Sequence, residues 1–309
     1  MAAVVVAAEP GAGAREGARS ALRDALRNRR LLLGLVVVGF FILLAALGPL
    51  FVGDPSDQYH DALNQAPSAA HWFGTTNIGQ DIFTQTVVAA RPTLLIGAAA
   101  GLIATAISVI IGIGGGFLGG LADELLALLT NVALVIPTLP LVIVASKFMG
   151  NNGLTPTIFV IAFTSWAASA RVLRGQTLSL RSRDYVLAAR ALDEPRWRIV
   201  LVELLPNEMP IIVSQFTFAM IFAILAQAGL AFLGLQSADM LTWGNILYFA
   251  QNAQALDSGQ WWWFAPSGLC IALFGAGLAL VNFGLDELLN PRLRVYRAPK
   301  DRGERKAQR

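Results

Sequence analysis

Charge is scarce in this 309-residue chain: 14% of its residues are Asp, Glu, Lys or Arg, where an ordinary soluble domain has about 25%. Cysteine and histidine are scarcer. Cys270 is the single cysteine and sits in an apolar stretch, which excludes a disulfide framework and a thiolate metal cluster and leaves it a packing role. The two histidines, His60 and His71, belong to no H-E-x-x-H pattern and have no ligand set beside them. No glycine run ends in G-K-[ST], so the chain carries no Walker A loop. Nor does a Ser/His, paired-Asp or metal-ligand set stand at membrane depth, as an intramembrane hydrolase would require.

Apolar sequence is what the chain has in quantity, at 55% hydrophobic residues. Several runs pass the threshold of about 18 residues for a membrane span. Six segments can be read, at 31–52, 93–118, 125–148, 156–173, 210–235 and 262–285. At about 1.5 Å per residue, such helices can cross a hydrocarbon core of about 30 Å. The fold class is therefore all-α, a polytopic membrane protein with six transmembrane helices. The first segment is too long for the apolar part of a signal peptide and is expected to stay.

Basic residues are confined to three places, which set the orientation. Of the 23 Lys and Arg residues, 21 lie before the first span, in the stretch after the fourth, or in the C-terminal tail; Arg91 and Lys147 are the exceptions. With six spans these regions share one side, and the positive-inside rule makes it the cytoplasm. The division is a cytoplasmic tail (1–30), a first helix (31–52), an outer loop (53–90) with four Asp and no Lys or Arg, a five-helix core (91–290), and a basic cytoplasmic tail (291–309). This predicts a multi-pass membrane protein with both termini cytoplasmic. The net charge of +3 follows topology and does not point to nucleic acid.

Three local features carry two readings each. Trp261, Trp262 and Trp263 suit an interfacial anchor or, more sharply, a sugar-stacking platform. The run G-I-G-G-G-F-L-G-G from Gly112 to Gly120 superficially resembles a nucleotide loop, but its apolar setting suits close helix packing. Pro137 and Pro140 should kink or interrupt the third span, and such a break can line a pathway.

The stretch 171–206 holds seven arginines, whereas 199–291 holds no Lys or Arg. Ser182 can cap a helix that starts near Arg183 or Asp184 and runs through Tyr185, Ala188, Ala189, Arg190 and Ala191. Asp193-Glu194-Pro195 ends it, and a second short helix follows from Arg196 to Leu205, closed by Pro206. The loop so read spans 176–208. Ala188, Ala189 and Ala191 offer a small-residue patch that another protein can approach, with Arg and Tyr at its rim. An amphipathic pair lying on anionic lipid is the other reading.

This segment resembles the cytoplasmic EAA loop of binding-protein-dependent ABC importer permeases, E-A-A-x(3)-G-x(9)-I-x-L-P. Laid on without gaps, the alanines fall on Ala188 and Ala189 and the closing pair on Leu205 and Pro206. Leu187, Asp193 and Glu203 depart from the pattern at its Glu, Gly and Ile. Further stretches are similar to the dipeptide, oligopeptide and nickel permeases: G-T-T-N-I-G-Q-D-I-F from Gly74, with Arg91 following; R-G-x-x-L-S-L-R from Arg174; A-F-L-G-L from Ala231; W-G-N at Trp243; and N-P-R-L-R at Asn290.

The resemblance implies an ABC type I importer permease of MetI-like architecture, placed in a bacterial inner membrane. Its partners would be a second homologous permease, two cytoplasmic ATPase subunits that use ATP and Mg, an extracytoplasmic substrate-binding protein, and the lipid bilayer. This chain would bind no cofactor and catalyse nothing. The coupling-loop residues would be Arg183, Asp184, Tyr185, Ala188, Ala189, Arg190, Ala191, Asp193, Leu205 and Pro206. Small peptides are the expected cargo, with nickel or oligosaccharide as the alternatives within the family. A stand-alone secondary transporter is the alternative class, but no charge lies deep in any span, where one would cost about 2.5–3.5 kcal/mol. Neutral polar residues remain inside the spans: Asn131, Ser165, Ser169, Gln215, Gln227 and Asn282. They can bond neighbouring helices or, for Asn131, Ser165, Gln215 and Gln227 in particular, line a pathway.

Overall fold

The computed structural model describes residues 28–149, 153–237 and 239–289. The basic tails and the ending from Asn290 lie outside the described residues. The described residues are mostly helical, with a long irregular connection at 51–81 and one isolated bridge between Thr75 and Asp81. Helix α1 covers Arg29–Leu47 and continues as a 3-10 turn, Gly48–Leu50. Then come α2 (Ile82–Leu118), α3 (Gly120–Val135), α4 (Thr138–Met149), α5 (Leu154–Leu180) and the short α6 (Asp184–Ala191). Helix α7 runs Arg196–Phe232, α8 is Trp243–Asn252 and α9 is Trp261–Leu289.

Helices α1, α2, α5, α7 and α9 are each long and apolar enough to span a membrane. The third segment of the sequence reading is α3 and α4, bent by 92° at a short break. Pro137 causes the bend: it pushes the residue before it out of the helical region, and Ile136 has φ −72° and ψ 123°. Pro140 falls in the first turn of α4, where its missing N–H has no helical partner to lose.

Helix α2 is the axis of the bundle. It begins eleven residues before the expected 93, because Asp81 caps it by accepting from Thr84 N at 2.7 Å. Asp81 also bonds His71 Nδ1 at 2.8 Å. The G-T-T-N-I-G-Q-D stretch builds this entry. Thr75 Oγ1 accepts from Gln65 N (2.9 Å), Thr76 Oγ1 accepts from Gln80 N (3.0 Å), and Gly79 turns at φ +79° with its Cα against Tyr59.

Glycines let α2 approach two helices. A Cβ on Gly97 would meet Ile224 at 2.5 Å and one on Gly101 would meet Met220 N at 3.0 Å, both on α7. One on Gly112 would meet Ala170 O at 2.5 Å, and one on Gly116 would meet Thr177 Cβ at 3.0 Å, both on α5. The glycine run is a helix contact, as the packing reading expects.

The segment 236–260, polar enough in sequence to read as a plain loop, contains α8. Thr242 caps α8 by accepting from Asn245 N at 3.2 Å. Trp243 is fully buried, its N–H donating to Thr93 Oγ1 (3.1 Å) and its Nε1 to Thr86 O (2.9 Å). Gly244 lies against Ala228 of α7, and Asn245 Nδ2 donates to Ser237 O at 2.8 Å. Each residue of W-G-N thus ties α8 to a different part of the bundle.

Candidate functional site

Helix α5 stays helical to Leu180, so Arg171 and Arg174 belong to it and not to the loop that follows. Both are engaged: Arg171 donates to Asn131 Oδ1 at 2.7 Å, and Arg174 grips Asp123 through two bonds of 2.5 and 2.9 Å. Arg181, the C-cap of α5, donates to Gly116 O on α2 at 2.9 Å. Three of the seven arginines therefore fasten α5 to α2 and α3, and four (Arg183, Arg190, Arg196 and Arg198) stay exposed on the hook formed by α6 and the start of α7.

The hook has a core of its own. Val186, Ala189, Ile199 and Leu204 are buried together with Phe117 from the end of α2, and Leu180, Tyr185 and Val200 pack on them. Arg190 lies over the Phe117 ring at 5.0 Å from its centre, a cation–π contact that closes the hook on α2. A cleft of about 310 Å³ opens between Phe117, Leu118, Arg190, Asp193, Arg196 and Ile199. Burial, with the charge of Glu203 adding to it, pushes the Tyr185 phenol above its usual range. Asp184 and Arg183 are exposed at the start of α6.

Local geometry corrects three details of the sequence reading. Ser182 does not cap α6; its hydroxyl donates back to Ser179 O at 3.2 Å, and Arg183 holds the cap position without a side-chain bond. Ala189 turns inward at 7% exposure, while Ala188 and Ala191 face out. Pro206 does not end the second helix. The chain widens into a π-helical stretch over Ile199–Leu204, and α7 continues through Leu205 and Pro206 to Phe232. Proline lacks the N–H that would donate to the carbonyl four residues before it, and a wide turn just before it absorbs that loss.

Asp193 adopts φ +53°, the left-handed conformation that the glycine of the EAA pattern would provide. The turn closes with Glu194 N donating to Ala189 O at 3.1 Å, and Pro195 starts the next helix.

The alanines are not the most prominent outward feature. Leu192 is 76% exposed and Trp197 64%, with Leu187 and Leu201 also exposed nearby. Residue type alone gave no reason to set these above neighbouring apolar residues, because only the fold shows which face the hook's own core leaves uncovered.

The polar residues inside the spans are dispersed. Asn131 is bound by Arg171, and Ser165 donates to Ile161 O of its own helix at 2.7 Å. Gln227 is fully buried and donates to Gln236 Oε1 (2.6 Å) and Thr242 Oγ1 (2.8 Å), bracing α8. Gln215 is half-buried, and Ser169 and Asn282 are buried. The structure does not gather them into one site. Among the described residues no group of three or more His, Cys, Asp or Glu side chains is placed to hold a metal ion.

A helical bundle with five membrane-length helices, a bent helix pair and a packed basic hook between two spans defines a multi-span membrane protein. The family profile of binding-protein-dependent transport system inner membrane components matches residues 108–295, and that of the N-terminal transmembrane domain of oligopeptide transport permease C matches 18–67. The chain belongs to the binding-protein-dependent transport system inner membrane component family. It is 34% identical to the oligopeptide transport system permease protein OppC of Bacillus subtilis (strain 168) over 270 residues, 86% of this chain and 87% of that relative. It is also 34% identical to the dipeptide transport system permease protein DppC of the same organism over 280 residues, 89% and 86%. OppC of Mycobacterium bovis is 30% identical over 280 residues, 89% and 95%.

Proposed function

We propose that this chain is the transmembrane permease subunit of an ATP-driven importer of small peptides. In this reading the hook is where ATPase subunits push. Two cytoplasmic ATPases hydrolyse ATP, a second homologous permease completes the path, and an extracytoplasmic binding protein delivers cargo. Both termini and the hook lie on the cytoplasmic side. The peptide assignment leans on the names of the OppC and DppC relatives.

One observation carries the reading: the hook packs a core of its own, clamps to α2 through Phe117 and Arg190, and still exposes Leu192 and Trp197. A rigid attachment transmits force, and uncovered large apolar groups flanked by arginines suit an interface with another protein. Helix α7 then carries the displacement unbroken from the hook into the bundle.

The test is Ala188→Arg, which places bulk and charge on the outward face and leaves the hook's core alone. The variant should insert and unfold like the wild type, yet lose co-purification of the ATPase subunits and peptide uptake into proteoliposomes. Normal co-purification and uptake would remove the coupling role.

A further inference from the structure

We infer that Glu208 is held as a neutral carboxylic acid that donates its proton to Thr177 Oγ1, latching α7 to α5 at the root of the hook. Glu208 is fully buried. Its Oε1 lies 2.8 Å from Thr177 Oγ1, and that same hydroxyl oxygen lies 2.9 Å from Leu173 O.

A threonine hydroxyl has one proton and two lone pairs. The single threonine proton can serve only one of its two acceptor neighbours, Leu173 O and Glu208 Oε1. A neutral carboxyl that donates to Oγ1 lets both short contacts be hydrogen bonds at once. The other carboxyl oxygen, Oε2, is buried with no partner among the described residues. A bare carboxylate oxygen in that position is far costlier to bury than the carbonyl oxygen of a neutral acid.

Among the described residues no cation pairs with it. The ionisable residues on the elements around Glu208 include Arg174 and Arg181 on α5, Arg183 and Tyr185 at α6, Glu203 on α7 itself, Asp123 on α3 and Asp286 on α9. Arg174 is committed to Asp123 and Arg181 to Gly116 O. Asp286 accepts from Ser214, and Tyr185 contributes a buried hydroxyl without a partner. None of them forms an ion pair with Glu208 among the described residues.

The latch sits where it can matter. Gly116 of α2 presses on Thr177, so α2, α5 and α7 meet at one level just beyond the hook. Glu208 is thus a positioning residue that fixes the hook's output helix against its neighbours. Its loss on deprotonation would loosen that joint. The effect on transport rests on the coupling role proposed above; the protonation state does not.

Infrared difference spectroscopy of the full chain in lipid tests the protonation directly. At neutral pH the wild type should show a carboxylic C=O band that disappears as pH is raised, is absent in Glu208→Gln and shifts in Thr177→Val. Absence of the band, or its persistence in Glu208→Gln, overturns the inference. Thermal unfolding supplies a second arm. Glu208→Gln retains a donor toward Thr177 and should keep the wild-type midpoint, while Glu208→Ala and Thr177→Val should lower it. A loss in Glu208→Gln as large as in Glu208→Ala would mean that charge is required, against the inference. Uptake by the assembled transporter should fall with rising pH in the wild type and stay flat in Glu208→Gln. A matching band with pH-independent uptake would refute the transport consequence alone.

Discussion

Arg174 near the end of α5 holds Asp123 at the start of α3 through both carboxylate oxygens, at 2.5 and 2.9 Å. A planar guanidinium meeting a carboxylate side-on gives two charge-assisted bonds with fixed geometry. The pair anchors the bent α3–α4 unit to the bundle. Removing Arg174 would leave Asp123 largely buried without its partner.

Arg174→Ala should therefore lower stability by about 2 kcal/mol. The double variant Arg174→Ala with Asp123→Ala should recover part of the loss, because no stranded charge remains. Thermal unfolding of the four proteins in one detergent forms the cycle, and strict additivity would deny the interaction.

Asp193 pays for its positive φ, since a side chain in the left-handed region is disfavoured and Asp is among the better-tolerated residues there. Asp193→Gly should raise stability by up to about 1 kcal/mol, and Asp193→Val should lower it by about 1–2 kcal/mol. Unfolding midpoints check both signs.

Contact between α2 and α5 should be intolerant of a single methyl group at Gly112. The added carbon would stand 2.5 Å from Ala170 O, which is backbone and cannot swing away. Gly112→Ala should cost about 1–3 kcal/mol. Gly114→Ala, which meets nothing within 4 Å, is the control and should be neutral or slightly stabilising in the same melt.

Trp243 offers a graded test of α8. Trp243→Phe keeps most of the buried ring but loses the Nε1 bond to Thr86 O, a loss of about 1 kcal/mol. Trp243→Ala should cost about 3–5 kcal/mol. Equal losses in chemical unfolding would show that the hydrogen bond dominates.

On the hook, Trp197→Ser and Leu192→Ser should leave unfolding within about 0.5 kcal/mol of the wild type, because both side chains are exposed. If the hook is an interface, losing either anchor should weaken capture of the ATPase subunits by about 2 kcal/mol, or roughly 30-fold. A pull-down titration measures it.

The membrane architecture was legible because spans announce themselves through composition. Long apolar runs placed α1, α2, α5, α7 and α9, and Pro137 placed the bend between α3 and α4. What composition could not mark is where a helix outlasts its apolar stretch. Helix α2 starts early because Asp81 caps it, and α5 runs late because Arg171, Arg174 and Arg181 find partners on α2 and α3. Helix α8 was hidden in a polar connection, although Trp243, Ile246 and Ala250 repeat at helical spacing behind a Thr242 cap.

At the hook, the turn was readable from Asp193, whose short side chain tolerates the left-handed region. The orientation of Ala189 was not, because three nearby alanines look alike until the packing of Val186 and Ile199 decides which one faces in. Likewise, Pro206 reads as a stop signal only if the turns before it are ordinary α turns. Nothing local marks Glu208 at the end of the 176–208 loop, because its burial against Thr177 arises from a contact 31 residues away in sequence.

The wide turns at Ile199–Leu204 fix the angular phase between hook and bundle. One residue more or fewer in an ordinary helix swings everything beyond it by about 100° around the axis. Were that stretch to tighten into α geometry, Glu208 and Gln227 would rotate together out of their seats. The oversized coil thus acts as a keyed spacer that sets how the hook is indexed against the bundle.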